Sequence, residues 1–236
     1  MNRFISSVVG LLVLSGRLAF PDALPVPPPT APFVATPRPG THWEIRIEPK
    51  FDAPGGGATA APAPPSGHAT TAVVDCWLDD HAGRAAVAYG GGAQAEGYWI
   101  ARRLYLKVNG GVYAAGVNDE DDLATSAMNL SKFAGTPWIT LANYQGVELI
   151  DKIPCYKFHR AAVSDSASPL PEITAWIAVA DKMPIQIRRG NTLGQYSAIT
   201  EWKGAIDLPE DVRKKAEIVS REQQSSEMLN RSNAHP

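Results

Sequence analysis

Apolar and polar residues alternate along much of the chain, and this alternation predicts a β-rich protein. In residues 42–48, Trp43, Ile45 and Ile47 are separated by charged residues, which is the pattern of a strand with one buried face. Similar patterns predict further strands at residues 71–78, 84–89, 98–108, 112–117, 138–142, 147–151, 155–163, 174–179, 185–189 and 195–202.

The residues between these segments indicate hairpin links. Asn109-Gly110-Gly111 is a strong hairpin signal, because asparagine and glycine tolerate a positive φ. Within residues 98–108 the alternation slips once, at Arg102-Arg103, which we interpret as a β-bulge. Strands do not alternate with helices, so a parallel sheet is not expected. The sequence therefore predicts a mainly β fold: a large curved antiparallel sheet, an incomplete barrel, with one or two short helices.

The two helices are predicted at residues 123–133 and after Pro209. In the first, Leu123, Ala127 and Leu130 recur near helical spacing. In the second, the proline suits a first helical turn, and the acidic pair Glu210-Asp211 complements the helix dipole.

The beginning of the chain has the features of a secretory signal peptide, predicted at residues 1–19. Arg3 precedes an apolar run over residues 4–14 that is too short to span a bilayer as a helix. The alternatives are an uncleaved membrane anchor or a wrongly assigned start. A periplasmic or secreted location is therefore expected, and contact with a membrane only through transient association or an uncleaved signal.

Two stretches of low complexity flank the first strand. Residues 20–40 carry eight prolines and are predicted to be a linker, because such a stretch favours extended polyproline II. Residues 49–67 are rich in alanine, glycine and proline and are predicted to be a flexible loop inside a β-rich domain of residues 41–208. Alternatively this second stretch is another tether, which would leave the first strand outside the fold. Residues 209–236 are predicted to be a C-terminal helix and a polar tail.

Composition narrows the classes of partner. The chain has 236 residues, of which 44% are hydrophobic, enough for one domain with a real core. The formal net charge of −2 provides no field that would attract nucleic acid, so no nucleic-acid partner is expected. The only cysteines are Cys76 and Cys155. In an oxidising compartment such a pair suggests one disulfide, the alternative being two buried free thiols.

Candidate chemistry is sparse. Asp79-Asp80-His81 could bind a metal or transfer protons, but it lies at a predicted hairpin tip where adjacent side chains diverge. The acidic run at residues 118–122 lacks the glycine of a calcium loop. The glycine runs at residues 55–57 and 90–92 lack the lysine of a phosphate loop. We therefore predict no catalytic residue, no metal site, no cofactor and no enzyme activity.

Three segments in the second half resemble motifs of a known superfamily. Residues 146–158 read Gly-Val-Glu-Leu-Ile-Asp-Lys-Ile-Pro-Cys-Tyr-Lys-Phe, similar to a strand pair of that superfamily. Residues 174–190 resemble its "Trp-Ile-Asp … Pro-Ile-Arg" hairpin, and residues 194–202, followed by Leu208-Pro209, its closing strand. Over about residues 99–209 the chain resembles the outer-membrane lipoprotein-sorting and carrier superfamily, which has a LolA/LolB-like fold.

The resemblance implies an incomplete barrel around a hydrophobic cavity, with a lipid or lipoprotein acyl chain as the partner. We therefore expect an extracytoplasmic protein that holds an apolar ligand in a concave sheet. The alternative is a non-catalytic interaction module that its proline-rich arm tethers to an envelope partner. The positions of the ligand-binding residues are not predicted by the sequence.

Overall fold

The structure is a computed structural model that describes residues 26–49, 71–116, 122–164 and 170–233. Within these ranges the strands are β1 (Thr41–Pro49), β2 (Ala72–Leu78), β3 (Ala82–Tyr89), β4 (Gln94–Ile100), β5 (Arg103–Val108), β6 (Gly111–Ala115), β7 (Tyr144–Ile150), β8 (Ile153–Arg160), β9 (Ile173–Ala178), β10 (Pro184–Arg189), β11 (Thr192–Tyr196) and β12 (Thr200–Glu201). The helices are α1 (Leu123–Ser126) and α2 (Glu210–Asn233), and a 3-10 turn spans Leu141–Asn143.

All twelve of these strands belong to one antiparallel sheet of the described chain. The order is β6-β5-β4-β3-β2-β1-β11-β10-β9-β8-β7, and β12 pairs with one end of β1. The strand predicted at residues 42–48 is therefore central to the sheet, since β1 pairs with both β2 and β11. The edges β6 and β7 leave the barrel incomplete. The prediction of a mainly β fold with a large open antiparallel sheet is confirmed.

The slip at Arg102-Arg103 is a hairpin turn, so its interpretation as a β-bulge was wrong. β4 ends at Ile100, β5 begins at Arg103, and Ala101 and Arg102 have φ angles of 48° and 66°. Two successive positive φ angles make the tight turn that suits twisted strands. Alanine and arginine disfavour this conformation, which is why the local sequence does not announce the turn. The hairpin turn predicted at Asn109 is confirmed.

One face of the sheet, here called the inner face, is covered by the segment that connects β6 to β7. We call residues 122–143 the cover segment. A Cβ atom placed on Gly97 of β4 would lie 3.1 Å from the Cβ of Met128, and one on Gly194 of β11 would lie 3.1 Å from Cδ1 of Leu123. The cover segment thus reaches strands on both sides of β1. The sheet curves around it, and the main hydrophobic core lies between the two.

The cover segment has less regular structure than its sequence predicts. The helix predicted at residues 123–133 is limited to the four residues of α1, and residues 138–142 form turns instead of a strand. Local hydrogen bonds hold these turns: the hydroxyl of Thr136 donates to the carbonyl of Phe133 at 2.7 Å, and Nε1 of Trp138 donates to that of Gly135 at 2.7 Å. Such bonds compete with regular secondary structure, while the apolar side chains pack against the sheet.

The helix α2 lies on the opposite, outer face. Its Val212 and Val219 pack against Tyr98 of β4 and Tyr105 of β5. The described side chains beyond Val219 are exposed, so only the first part of α2 is docked. The helix predicted after Pro209 is confirmed. Within the described ranges, no helix is both long and apolar enough to cross a membrane.

The N-terminal segment, residues 26–36, packs against the inner face, although the sequence predicts a linker there. Pro29 is buried, and Val26, Phe33 and Val34 contact the main core. A few well-spaced apolar side chains are enough to hold the segment against the sheet, because an extended proline-rich chain loses little conformational entropy when it docks. The predicted signal peptide and nearly all of the predicted loop at residues 49–67 lie outside the described residues.

Candidate functional site

Aromatic side chains line the inner face of β8. Tyr156 and Phe158 are buried there, and Tyr144 of the edge strand β7 lies opposite Phe158. The Tyr144 ring centroid is 6.0 Å from that of Tyr156 and 5.8 Å from that of Phe158. Tilted contacts of this kind are favourable for aromatic rings. Because alternate residues of a strand share a face, the inner face of β8 presents one row, the β8 row: Pro154, Tyr156, Phe158 and Arg160.

The inner face is partly uncovered beside this row. Val147 lies opposite Tyr156, and Leu149 lies opposite Pro154. Both side chains therefore project from the inner face, yet they are 38% and 69% exposed. Adjacent exposed apolar side chains are typical of surfaces that bind another molecule. The apolar inner face thus continues to solvent at the β7 edge.

The N-terminal segment lies over the β8 row and is held by few hydrogen bonds. The Tyr156 hydroxyl donates to the Pro27 carbonyl at 3.2 Å, and Lys182 Nζ donates to the Thr30 carbonyl at 2.7 Å. The Ala35 amide donates to the Lys182 carbonyl at 2.9 Å. The Phe33 ring packs edge-on against Phe158, with centroids 6.1 Å apart. The segment adds no strand to the sheet, so it is docked mainly through side chains.

The two cysteines lie on opposite faces of the sheet. Cys76 belongs to the inner-face core, whereas Cys155 precedes the inward-facing Tyr156 by one residue and so faces outward. Four strands separate β2 from β8 in the sheet order. Both thiols are free, so the structure lacks the disulfide predicted from the sequence.

Both thiols are poor nucleophiles in this environment. Burial, together with the negative charge of Asp75, raises the pKa of the Cys76 thiol well above its usual value. Burial also raises the pKa of the Cys155 thiol to about 11. The thiolate is the reactive form of cysteine, and neither side chain forms it readily at neutral pH.

The acidic turn at residues 79–81 is held together by its own backbone. Oδ1 of Asp79 accepts hydrogen bonds from the amides of His81 and Ala82 at 2.7 and 2.6 Å, and Oδ2 accepts one from the amide of Ile206 at 2.8 Å. Partial burial would raise the pKa of the Asp79 carboxyl, but these backbone donors lower it below its usual value. Asp79 therefore closes a turn and anchors the chain ahead of α2.

Other candidates from the sequence also have structural roles or lie outside the described residues. Asp122 accepts hydrogen bonds from the amides of Ala124 and Thr125 at 2.9 and 3.0 Å and so begins α1. Residues 118–121 of the acidic run, and the glycines at residues 55–57, are outside the described ranges. Within those ranges, His, Cys, Asp and Glu side chains do not gather in threes as a metal site would require.

The outer face carries a cleft of about 390 Å³ beside Trp77, Arg84 and Trp202. Several of the polar groups around it contact one another, although the buried Nε of Arg84 has no hydrogen-bond partner. The guanidinium of Arg84 bonds to Glu96 and lies 5.3 Å from the Trp77 ring centroid. His42 stacks on the same indole, with centroids 5.2 Å apart. These cross-strand contacts stabilise the sheet.

The β8 row is not recognisable as a site from the sequence alone. The signal was present, since Tyr156, Phe158 and Arg160 alternate within the strand predicted at residues 155–163. Alternation shows that residues share a face but does not show which face is inward. Phe33 had no signal at all, because it lies in a segment whose composition predicts a linker.

No protein-family model matches the chain, and no curated protein matches it. Solved structures do. Lipoprotein LppX from Mycobacterium tuberculosis matches with 17% identity and a TM-score of 0.34, over 72% of this chain and 88% of that one. A LolA superfamily protein from Nitrosomonas europaea matches with 11% identity and a TM-score of 0.31, over 73% and 87%. LprF from Mycobacterium bovis matches with 11% identity and a TM-score of 0.31, over 72% and 89%.

Proposed function

We propose that this protein binds an apolar ligand, a lipid or lipoprotein acyl chain, against the inner face of its sheet. The observation that carries the proposal is the β8 row with its aromatic side chains, which lies beneath a segment that adds neither a strand nor a helix. Clefts lined by apolar and aromatic side chains with few polar groups are the usual form of a small-molecule site. The ligand would replace the N-terminal segment on Tyr156 and Phe158.

The route to this site is the β7 edge. Val147 and Leu149 extend the apolar surface of the row to solvent, so an acyl chain can contact them before any rearrangement. Displacement of residues 26–36 breaks side-chain contacts and few hydrogen bonds, and the sheet ladder stays intact. A small local opening of this kind requires much less free energy than global unfolding.

An extracytoplasmic location is part of the proposal. It is supported by Arg3 and the apolar run at residues 4–14, which have the pattern of a secretory signal. A reporter fused after Asp22 should be exported. A reporter that stays in the cytoplasm would remove this part of the proposal and leave the ligand site untouched.

Ligand binding can be tested with a fluorescent apolar dye and with a fluorescent long-chain fatty acid. The folded protein should bind both, and binding should change the emission of its tryptophans. Leu149→Glu places a charge on the exposed end of the apolar surface and should weaken binding about tenfold or more, because desolvating a carboxylate is costly. Its stability should hardly change, since Leu149 is 69% exposed.

Met228→Glu is the matched control. Met228 is 64% exposed on α2, on the other face of the sheet, so the same kind of substitution should leave binding unchanged. If the folded wild-type protein takes up neither probe, the binding proposal fails and the interaction module becomes the better hypothesis. Equal losses in both variants would show that the dye binds without using the inner face.

A further inference from the structure

We propose that Arg160 receives the anionic group of an amphipathic ligand whose acyl chain lies along β8. The inference rests on the proposed function and specifies the class of its ligand: a molecule with a carboxylate or phosphate at one end and a hydrocarbon chain at the other. The juxtaposition that carries it is a cation at one end of an otherwise apolar row of side chains.

Arg160 is the last residue of β8 and shares the inner face with Tyr156 and Phe158. Its guanidinium carbon lies 5.7 Å from the centroid of the Trp138 ring in the cover segment. Same-face neighbours on a strand are about 6.7 Å apart. An acyl chain extended along β8 therefore passes over the rings of Tyr156 and Phe158 before it reaches the Arg160 guanidinium.

The Arg160 guanidinium has an unused donor. Its Nε is buried and has no hydrogen-bond partner. Among the described residues, no carboxylate lies within ion-pair distance of Arg160. Glu172, which directly precedes the cross-strand partner Ile173, is directed to the outer face, 3.7 Å from Nδ1 of His159. A buried donor without a partner is unfavourable, and a bound anion would satisfy it.

A second arginine lies in the same cross-strand row. Arg160 of β8 and Arg189 of β10 both lie opposite Ile173 of β9, so all three are on one face. This end of the inner face thus carries the cationic side chain of Arg160, whereas Leu149 and Pro154 make the other end apolar. The asymmetry orients the ligand, with its anionic group at Arg160 and the end of its chain at Leu149.

The test compares a fluorescent long-chain fatty acid with its methyl ester, which has the same chain without the charge. Both are titrated into the full chain at pH 8 and low salt. The wild-type protein should bind the acid about tenfold or more tightly than the ester, the size expected of a charge-assisted hydrogen bond. Arg160→Gln should bind both with the affinity of the ester, and Arg160→Lys should keep part of the preference.

Arg46→Gln is the matched control, because Arg46 projects from the outer face of β1 and its side chain is 60% exposed. It should keep the wild-type preference for the acid. Acetate has the anionic group without the chain, and at the same concentration it should not displace the fatty acid.

The outcomes separate the two proposals. Equal wild-type affinity for acid and ester, or a preference that survives in Arg160→Gln, would overturn the role of Arg160 and leave the apolar site standing. Displacement by acetate would show that a free anion, instead of an amphiphile, occupies the site. If the folded protein binds neither probe, the proposed function itself fails. The circular dichroism spectrum of Arg160→Gln establishes that the variant is folded.

Discussion

Docking of the N-terminal segment can be tested with Phe33→Ala. Phe33 is half-buried, and its ring meets Phe158 edge-on with centroids 6.1 Å apart. Truncation of a fully buried phenylalanine costs about 3–5 kcal/mol. Phe33 is less buried, and its segment can relax into the gap. We therefore expect a loss of about 1–2 kcal/mol in the free energy of unfolding, of which the ring pair contributes about 0.5–1.5 kcal/mol.

The assay is chemical denaturation together with a thermal melt and limited proteolysis. For a chain of this size the midpoint should fall by about 2–8 °C, and cleavage within residues 26–36 should become faster. Thr36→Ala is the control, because Thr36 is exposed in the same segment and its loss should change neither quantity.

A double-mutant cycle isolates the ring contact. Phe158→Leu keeps most of the buried volume and removes the partner ring, so Phe33→Ala should cost less in that background by about 0.5–1.5 kcal/mol. If Phe33→Ala changes neither stability nor proteolysis, residues 26–36 are a linker as their composition predicts. The β8 row would then lack the N-terminal segment as a cover.

Three further predictions concern the thiols, a close approach and a turn. Both cysteines are free and buried. Without a reductant they should therefore resist alkylation in the native protein at pH 8 and react once the protein is denatured. Linked cysteine peptides in a mass spectrum would contradict the structure. Gly97→Ala should destabilise the protein by about 1–3 kcal/mol in a denaturant melt, because the new Cβ would lie 3.0 Å from Cδ1 of Leu104, whereas Gly91→Ala, with open space around it, should be neutral. The pKa of the Asp79 carboxyl is lowered from 3.8, so the stability that its ionised form contributes is complete above that value and is lost as the pH falls through the native pKa. Asp79→Asn should therefore make the free energy of unfolding less dependent on pH below about pH 4. If the variant shows the same loss of stability in acid as the wild-type protein, this role of Asp79 is wrong.

The fold class was within reach of the sequence, because strand alternation is a local property. Residues 42–48 alternate cleanly and form β1, and the Asn109-Gly110 turn has the residues that its backbone needs. The turn at Ala101-Arg102 was not accessible, since neither residue favours a positive φ. Its geometry is imposed by the pairing of β4 with β5, for example of Tyr98 with Tyr105.

The sequence by itself determined which residues share a face, and the tertiary structure decided what each face touches. Period-two spacing places Tyr156, Phe158 and Arg160 together and separates them from Cys155. Only the curvature of the sheet makes one face inward, so that Cys76 lies in the main core, Cys155 faces outward and Arg160 lies beside Trp138. Composition likewise predicts a linker at residues 20–40, whereas residues 26–36 of that stretch pack against Phe158 and cover the inner face. The reason is that burial depends on contacts between residues far apart in the chain, and no local pattern records those contacts.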